Sequence, residues 1–122
     1  MAEPKRRRAW AFGARAERVA RLLLRCKGYR IVARRYRTPL GEIDIVARRG
    51  KTLAFVEVKA RPSREAAAEA VGGRQQARIE RAAGAFIGRH PDCAGLDLRF
   101  DVILIAPGRW PMHMPGAWRP GE

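Results

Sequence analysis

The sequence is poor in cysteine and in acidic residues, and it has no long apolar run. Only Cys26 and Cys93 carry thiols, and neither has further ligands at metal-binding spacing. Neither a zinc site nor a disulfide framework is therefore predicted. No stretch approaches membrane-spanning length, and the apolar run after residues 5–8 ends at Arg15, too early for a secretory signal. We expect a cytoplasmic protein with free thiols and no membrane partner.

Familiar catalytic motifs are also missing. The sequence has no P-loop, no G-x-G-x-x-G stretch and no Ser/His/Asp signature. His90 and His113 have no acid or cysteine at ligand spacing, so neither is predicted to bind zinc or to act in acid–base catalysis. Chemistry that depends on these motifs is not indicated.

The charge of the chain is strongly positive and unevenly distributed. There are 26 lysines and arginines against 12 acids, a net charge of +14. Residues 1–37 hold 13 basic residues and 2 acids, which accounts for +11 of that charge. Such a basic block attracts polyanions, with nucleic acid the first candidate and an anionic membrane the second. An arginine-rich composition inherited from a GC-rich genome is the alternative explanation.

The length and the composition predict one domain with two irregular ends. We expect a flexible basic tail at residues 1–8 and a domain at residues 9–106. Residues 107–122 are rich in Pro, Gly and Trp, so we expect this tail to lack regular structure. Trp110 and Trp118 would either stack on bases or dock on the domain surface.

The hydrophobic pattern predicts six regular elements in the order αβββαβ. A helix is expected from Trp10 to Lys27, and a first strand from Tyr29 to Tyr36. Two further strands form a hairpin, and an alanine-rich stretch at residues 65–71 follows them. A second helix is expected from Arg74 to Arg89, and a last strand from Leu96 to Ile105. This order indicates an α/β fold with a mixed sheet flanked by helices.

The first predicted helix has an apolar side and a basic side. The apolar positions recur at helical spacing: Val19, Leu22, Leu23 and Cys26. The basic positions gather elsewhere on the helix: Arg15, Arg18, Arg21 and Arg25. We expect these four arginines to contact the phosphate backbone of a nucleic acid.

The hairpin carries the most informative residues, three acids and a lysine inside apolar strands. Glu42 and Asp44 alternate with apolar residues on one strand, and Glu57 and Lys59 do so on the next. Residues two apart share a face of a strand, so each pair points the same way. An acid within such a run is costly unless something compensates for it.

The turn between the two strands predicts how these side chains meet. If the loop is Gly50-Lys51, Asp44 lies directly across from Glu57, and Glu42 across from Lys59. Like charges that face each other repel, and Mg²⁺ or Mn²⁺ bound between them would relieve the repulsion. Lys59 would then orient a water molecule and stabilise charge on a phosphate. The alternative is a cross-strand salt bridge from Glu42 to Lys59, with the other two acids facing solvent or nearby arginines.

At these residues the chain resembles a known family. GEIDIVA, from Gly41, followed by FVEVKAR, from Phe55, looks like the YraN family of predicted nucleases, and the resemblance extends over residues 13–105. It implies a restriction-endonuclease-like fold with the acids of the hairpin at its active site. It also implies that Arg99 and Asp101 lie on a buttressing strand with a structural role.

Two more site positions follow from the resemblance. In related nuclease folds a glutamate of the first helix reaches the metal site, a role that falls on Glu17; pairing with Arg21 on the helix surface is its alternative. The second helix of the family usually begins with a lysine near the active site. This chain has Gln75 at that place, next to Arg74, which would supply the missing charge.

The sequence thus predicts a metal-dependent nuclease that acts on DNA, including branched or junction DNA, for which a homodimer would be suited. Asp44, Glu57 and the carbonyl of Val58 are the expected ligands of Mg²⁺ or Mn²⁺. Lys59, Glu17 and Gln75 complete the predicted catalytic set, and Arg74 joins the nucleic-acid contacts. The alternative function is a non-catalytic nucleic-acid-binding module that keeps the endonuclease-like fold.

Overall fold

The structure is a computed structural model that describes residues 4–61 and 72–120, with side chains from residue 13 onward. Two helices and five strands account for most of these residues. In chain order they are α1 (Pro4–Cys26), β1 (Arg30–Thr38), β2 (Gly41–Arg49), β3 (Thr52–Ala60), α2 (Gly73–Arg89), β4 (Asp97–Ile105) and β5 (Met112–Trp118), with a 3₁₀ turn at Pro91–Cys93. The predicted α/β class and the order αβββαβ are confirmed, and β5 follows that series.

The five strands form one mixed sheet in the order β1-β2-β3-β4-β5. Only the β3–β4 pair is parallel; the other neighbours are antiparallel. The two helices pack on opposite faces of the sheet, one with each of the two main clusters of buried residues. Asp44, near the start of β2, and Glu57, near the end of β3, line a cleft beside each of the two helices.

The buried side of α1 differs from the predicted apolar stripe. Ala16, Ala20 and Leu24 are buried against the sheet, whereas Leu22 is 53% exposed. Alanines spaced four residues apart let the helix lie close to the strands, and Val19 and Leu23 pack along its flank. The helix also begins at Pro4, within the segment predicted to be a flexible tail, since proline is tolerated in the first turn of a helix. No structure is described for residues 1–3 or for the alanine-rich stretch at 65–71.

The apolar residues of α2 recur at helical spacing and face the sheet. Ile79, Ala82, Ala83 and Phe86 are buried, and Ile87 packs at the edge of the same cluster. Phe86 contacts Phe55 of β3 edge to face, at 5.9 Å between ring centroids. Such an arrangement adds to the stabilisation that burial alone provides, so it helps to fix α2 over the sheet.

The C-terminal residues 107–120 are more regular than the sequence predicted. β5 pairs antiparallel with β4, and Trp118 stacks on Phe100 at 5.3 Å between ring centroids. Pro115 and Gly116 within β5 suit an edge strand, where one side of the backbone needs no ladder partner. The expectation of an irregular tail was wrong because these residues complete the sheet. Residues 121–122 lie outside the described part.

Gly41, at the start of β2, sets how closely α2 approaches the sheet. A Cβ built at this position would lie 2.7 Å from the carbonyl oxygen of Arg78 in α2. We expect Gly41→Ala to lower the free energy of unfolding by about 1–3 kcal/mol, because backbone of α2 has to shift. Gly84→Ala is the matched control: it lies in α2 with open space around it and should stabilise the helix by about 0.5–1 kcal/mol. Urea denaturation of both variants measures the difference; equal stabilities would contradict the close approach.

Candidate active site

The hairpin of β2 and β3 has the predicted turn and register. β2 and β3 pair from Arg49↔Thr52 to Ile45↔Val56, which leaves Gly50-Lys51 as the two-residue loop. Gly50 has a φ of 60°, a conformation that favours glycine. The same register brings Asp44 to the level of Glu57, as the sequence predicted.

At that level the ladder between the two strands ends. The Val58 N–H donates to Oδ2 of Asp44 at 2.8 Å, so a side chain replaces the main-chain partner. Ile43 and Ile45 also pack in different core clusters, although residues two apart in a regular strand share a face. Regular alternation would place Ile43 and Ile45 on one face, so their separation indicates that β2 is irregular around Asp44.

The salt bridge between Glu42 and Lys59, which was the alternative interpretation of the hairpin, is not formed. Lys59 Nζ lies 3.3 Å from Oε1 of Glu57 on its own strand, and both side chains are nearly buried. Glu42 instead lies 3.6 Å from Arg37 of β1, in an exposed pair. The lysine is thus placed beside the acid pair.

The two acids disfavour each other's charged form. The pKa of Glu57 is raised to about 8, first by burial and then by the nearby Asp44 carboxylate, while Lys59 opposes the rise. Burial likewise raises the pKa of Asp44, while the hydrogen bond from Val58 opposes that rise. A carboxylate pair of this kind holds either a shared proton or a cation.

The donor set fits a hard divalent cation. Asp44 and Glu57 offer carboxylate oxygens at one level of the hairpin, and Val58 lines the same cleft. Among residues 4–61 and 72–120, no group of three or more His, Cys, Asp or Glu side chains is arranged to hold a metal. Two carboxylates completed by main chain, water and substrate oxygens are a common arrangement for Mg²⁺.

Two clefts meet at the acid pair. The first, of about 510 Å³, lies between α1 and the sheet and includes Glu17, Arg35 and Arg61. The second, of about 800 Å³, lies at the start of α2 and includes Arg74, Gln75 and Arg78. Both clefts are lined by Arg37, Glu42, Asp44 and Glu57. A ligand can therefore approach the acids from either side of the sheet.

Glu17 lies in the first cleft and has a partner that the sequence did not indicate. Its Oε2 accepts a hydrogen bond from Nε of Arg35 at 2.8 Å. Glu17 is also near enough to contribute to the raised pKa of Asp44. The structure thus brings Glu17 to the acid pair, as the resemblance implied, with Arg35 in the place expected for Arg21.

Gln75 contacts the acid pair from the second cleft. Its Nε2 donates to Oε1 of Glu57 at 2.8 Å. Arg74, its neighbour, is exposed and lines the same cleft. The amide thus orients Glu57 without adding a positive charge at that point.

The arginines of α1 form a surface outside both clefts, as far as the described lining residues show. Arg15, Arg18 and Arg25 are exposed. Partial burial lowers the pKa of Arg21, and the nearby Arg34, Arg25 and Arg18 lower it further. Closely spaced positive charges of this kind favour a polyanionic ligand.

A second cluster of polar residues lies on β4 and β5. Asp101, with a fully buried side chain, accepts hydrogen bonds from Arg99 through both oxygens at 2.8 Å, from His113 Nε2 at 2.8 Å and from the Gly116 N–H at 3.0 Å. Lys27 Nζ lies within hydrogen-bonding distance of Nδ1 of the same histidine. Burial alone would raise the pKa of Asp101, but these hydrogen bonds hold it at about 2.

The sequence has no acid at ligand spacing from His113, yet the structure gives this histidine an acidic partner, Asp101. The partner is distant in sequence and becomes a neighbour only because β5 pairs with β4. The available signal was Asp101 itself, because an acid within the apolar run Phe100–Ile105 needs buried donors. Its contacts fit the structural role that the resemblance implied for Arg99 and Asp101.

Within the described residues, no helix combines the length and the apolarity that crossing a bilayer requires.

Comparison with known sequences places the site within a widespread family. The sequence model of the family described as "Uncharacterised protein family UPF0102" matches residues 16–105. A UPF0102 protein of Parvibaculum lavamentivorans is 63% identical over 112 residues, 92% of this chain and 84% of the relative. UPF0102 proteins of Rhodopseudomonas palustris and Methylorubrum extorquens are 56% and 51% identical, over 96% and 93% of this chain and 87% and 89% of the relatives. The matched region contains both the hairpin acids and the buried Asp101.

Proposed function

Because this chain belongs to the uncharacterised protein family UPF0102, which includes the YraN sequences that it resembles, we propose a function from the chemistry of its acid pair. The proposed function is metal-dependent hydrolysis of phosphodiester bonds in DNA. The observation that carries it is the pair of half-buried Asp44 and buried Glu57, each with a raised pKa, at the junction of two clefts and beside the Lys59 ammonium.

Asp44, Glu57 and the Val58 carbonyl would hold Mg²⁺ or Mn²⁺. The bound cation would supply charge neutralisation at the phosphate and an acidic water. Lys59 orients the attacking water and donates to the oxygen on which negative charge builds. Gln75 fixes the direction of the Glu57 carboxylate through its 2.8 Å hydrogen bond, so that the carboxylate is preorganised before substrate arrives. Glu17 would be an outer ligand of the cation.

The basic surface of the molecule would hold the DNA. Arg74 lies at the mouth of the second cleft, and the four arginines of α1 lie on the outer side of the helix that lines the first. Contacts of this kind are made to phosphates and carry no sequence information, so we propose binding by charge and shape. A dimer would present two such sites to branched DNA.

Binding through the α1 arginines should depend steeply on salt. With four phosphate contacts, the slope of log K against log[salt] is expected to be about −3.5, and Arg18→Ala with Arg25→Ala should flatten it by about two units. Exchanging the exposed Arg81 and Arg89 of α2 for alanine removes the same charge elsewhere and should leave the slope unchanged. Fluorescence anisotropy at several salt concentrations gives these slopes. If the Arg18→Ala, Arg25→Ala variant had the same slope as the wild type, the DNA would bind to another surface.

The decisive experiment for the proposed function is a cleavage assay over a panel of linear, flapped and four-way-junction DNAs. Mg²⁺ and Mn²⁺ are compared with EDTA, and products are separated on denaturing gels. Cleavage that requires the metal supports the proposal. Salt-dependent binding without cleavage of any DNA in either metal would instead identify a non-catalytic nucleic-acid-binding module.

A further inference from the structure

Arg35 has an unusual backbone for a residue in a β-strand. Its φ is 48°, and among the described residues it is the only position other than glycine with a positive φ. A residue with a side chain rarely adopts this conformation, because its Cβ crowds the following carbonyl. Strain of this kind persists where the surroundings impose it, and it is concentrated at binding and catalytic sites.

The position of Arg35 in the sheet is level with the acid pair. On β1, its neighbours Arg34 and Tyr36 pair with Ile45 and Ile43, so Arg35 lies opposite Asp44. Asp44 in turn is level with Glu57 on β3. Arg35, the half-buried Asp44 and the buried Glu57 are therefore aligned across three neighbouring strands.

The side chain of Arg35 nevertheless pairs with neither of those two acids. Its Nε donates to Glu17 of α1, and the side chain is 46% exposed. Arg37, at the next level of β1, lacks the positive φ and contacts Glu42 across the ladder. The positive φ of Arg35 thus coincides with pairing to Glu17 of α1 in place of the acid opposite it on β2. The Arg35 guanidinium consequently lies in the first cleft together with Asp44 and Glu57.

We propose that Arg35 binds the phosphodiester at the acid pair and that the phosphate takes the guanidinium over from Glu17. This inference rests on the proposed function, because it assigns a phosphate to the cleft that the acids line. Four acids line this cleft and disfavour an approaching phosphate: Glu17, Glu42, Asp44 and Glu57. Of the arginines that line it, Arg35 is the one that pairs with Glu17. A guanidinium presents parallel N–H donors that match two phosphate oxygens, which a single carboxylate contact does not satisfy.

Four variants separate phosphate binding from a structural role. Arg35→Ala and Arg35→Gly both remove the guanidinium, but only glycine relieves the positive φ, so Arg35→Gly should melt at the higher temperature. Affinity for a fluorescein-labelled DNA in EDTA should fall on the order of tenfold in both variants alike. Arg35→Lys should recover part of the affinity. Arg30→Ala removes a charge at the exposed start of the same strand and should have little effect. The proposal would be overturned if Arg35→Ala and Arg30→Ala bound DNA equally well. It would also be overturned if the loss of DNA affinity among the variants followed their loss of melting temperature.

A double-mutant cycle tests whether the phosphate takes the Arg35 guanidinium over from Glu17. Glu17→Gln should tighten metal-free DNA binding several-fold by releasing Arg35, and the gain should disappear in the Arg35→Ala background. A gain of the same size in both backgrounds would reflect removal of negative charge alone and would contradict the transfer.

These binding measurements do not depend on hydrolysis. Wild-type protein that binds DNA through Arg35 but never cleaves would refute the proposed activity and leave the phosphate contact standing. Metal-dependent cleavage by Arg35→Ala with the wild-type KM would support the activity and refute the role of Arg35. Absence of DNA binding by the wild type would overturn both.

Discussion

Asp44→Asn and Glu57→Gln are each expected to abolish Mg²⁺-dependent cleavage while metal-free DNA affinity stays unchanged or becomes tighter. Each amide keeps the shape of the acid but removes a charge that a hard cation requires. The same charge repels an approaching phosphate when no cation is bound, so its removal cannot weaken binding electrostatically. Gel shifts in EDTA and cleavage assays with Mg²⁺ on the same preparations separate the two effects.

Thermal stability distinguishes this result from a structural explanation. Burial raises the pKa of Glu57 to about 8, which means that its charged form is disfavoured in the folded protein. Glu57→Gln should therefore leave stability unchanged or increase it. If Glu57 instead serves mainly as the partner of Lys59, neutralisation leaves a buried ammonium unpaired and lowers the free energy of unfolding by about 1–3 kcal/mol. Destabilised amide variants with unimproved DNA binding would contradict the metal site.

The level at which the acids meet could be predicted because it follows from local rules. A glycine in a two-residue loop fixes the register of a hairpin, and alternation then assigns Asp44 and Glu57 to one level. The contact from Gln75 to Glu57 was harder to predict from the sequence, because it depends on where α2 crosses the sheet. That position is set by the close approach of Gly41 to α2, which concerns residues 37 positions apart.

The features that could not be predicted depend on tertiary contacts. No propensity indicates a positive φ at Arg35, because the surroundings of the strand impose it. Regular pairing would place Glu42 opposite Lys59, but the ladder between β2 and β3 ends at Asp44, and Lys59 lies beside Glu57 of its own strand. On α1, small alanines were buried in preference to Leu22, since close helix–sheet packing outweighed side-chain hydrophobicity.

The role of β5 was missed because Pro and Gly indicate irregular structure when they are considered locally. Its strand pairing and the stacking of Trp118 arise only beside β4. The donors that it brings to Asp101 explain why an acid is tolerated at a fully buried position of that strand. This cluster should dominate the stability of the C-terminal part of the sheet.

Asp101→Asn is accordingly expected to lower the free energy of unfolding by about 3–5 kcal/mol, because it leaves the Arg99 guanidinium without its charged partner. The amide also turns one acceptor into a donor that faces other donors. Asp97→Asn is the matched control: it changes an exposed acid of the same strand and should stay within about 0.5 kcal/mol of the wild type. Urea denaturation at neutral pH gives both values, and equal stabilities would show that the cluster contributes little.

The pH dependence of stability provides an independent measurement of the same contribution. The pKa of Asp101 is lowered to about 2 from an ordinary value of 3.8, so the folded state favours the ionised form. Its contribution is complete above pH 3.8 and is lost as the pH falls through that value towards 2. The wild type should therefore lose about 2 kcal/mol more than Asp101→Asn between pH 5 and pH 2, at about 1.4 kcal/mol per pKa unit. Parallel pH profiles would mean that the carboxylate is no better stabilised in the folded protein than in the unfolded chain.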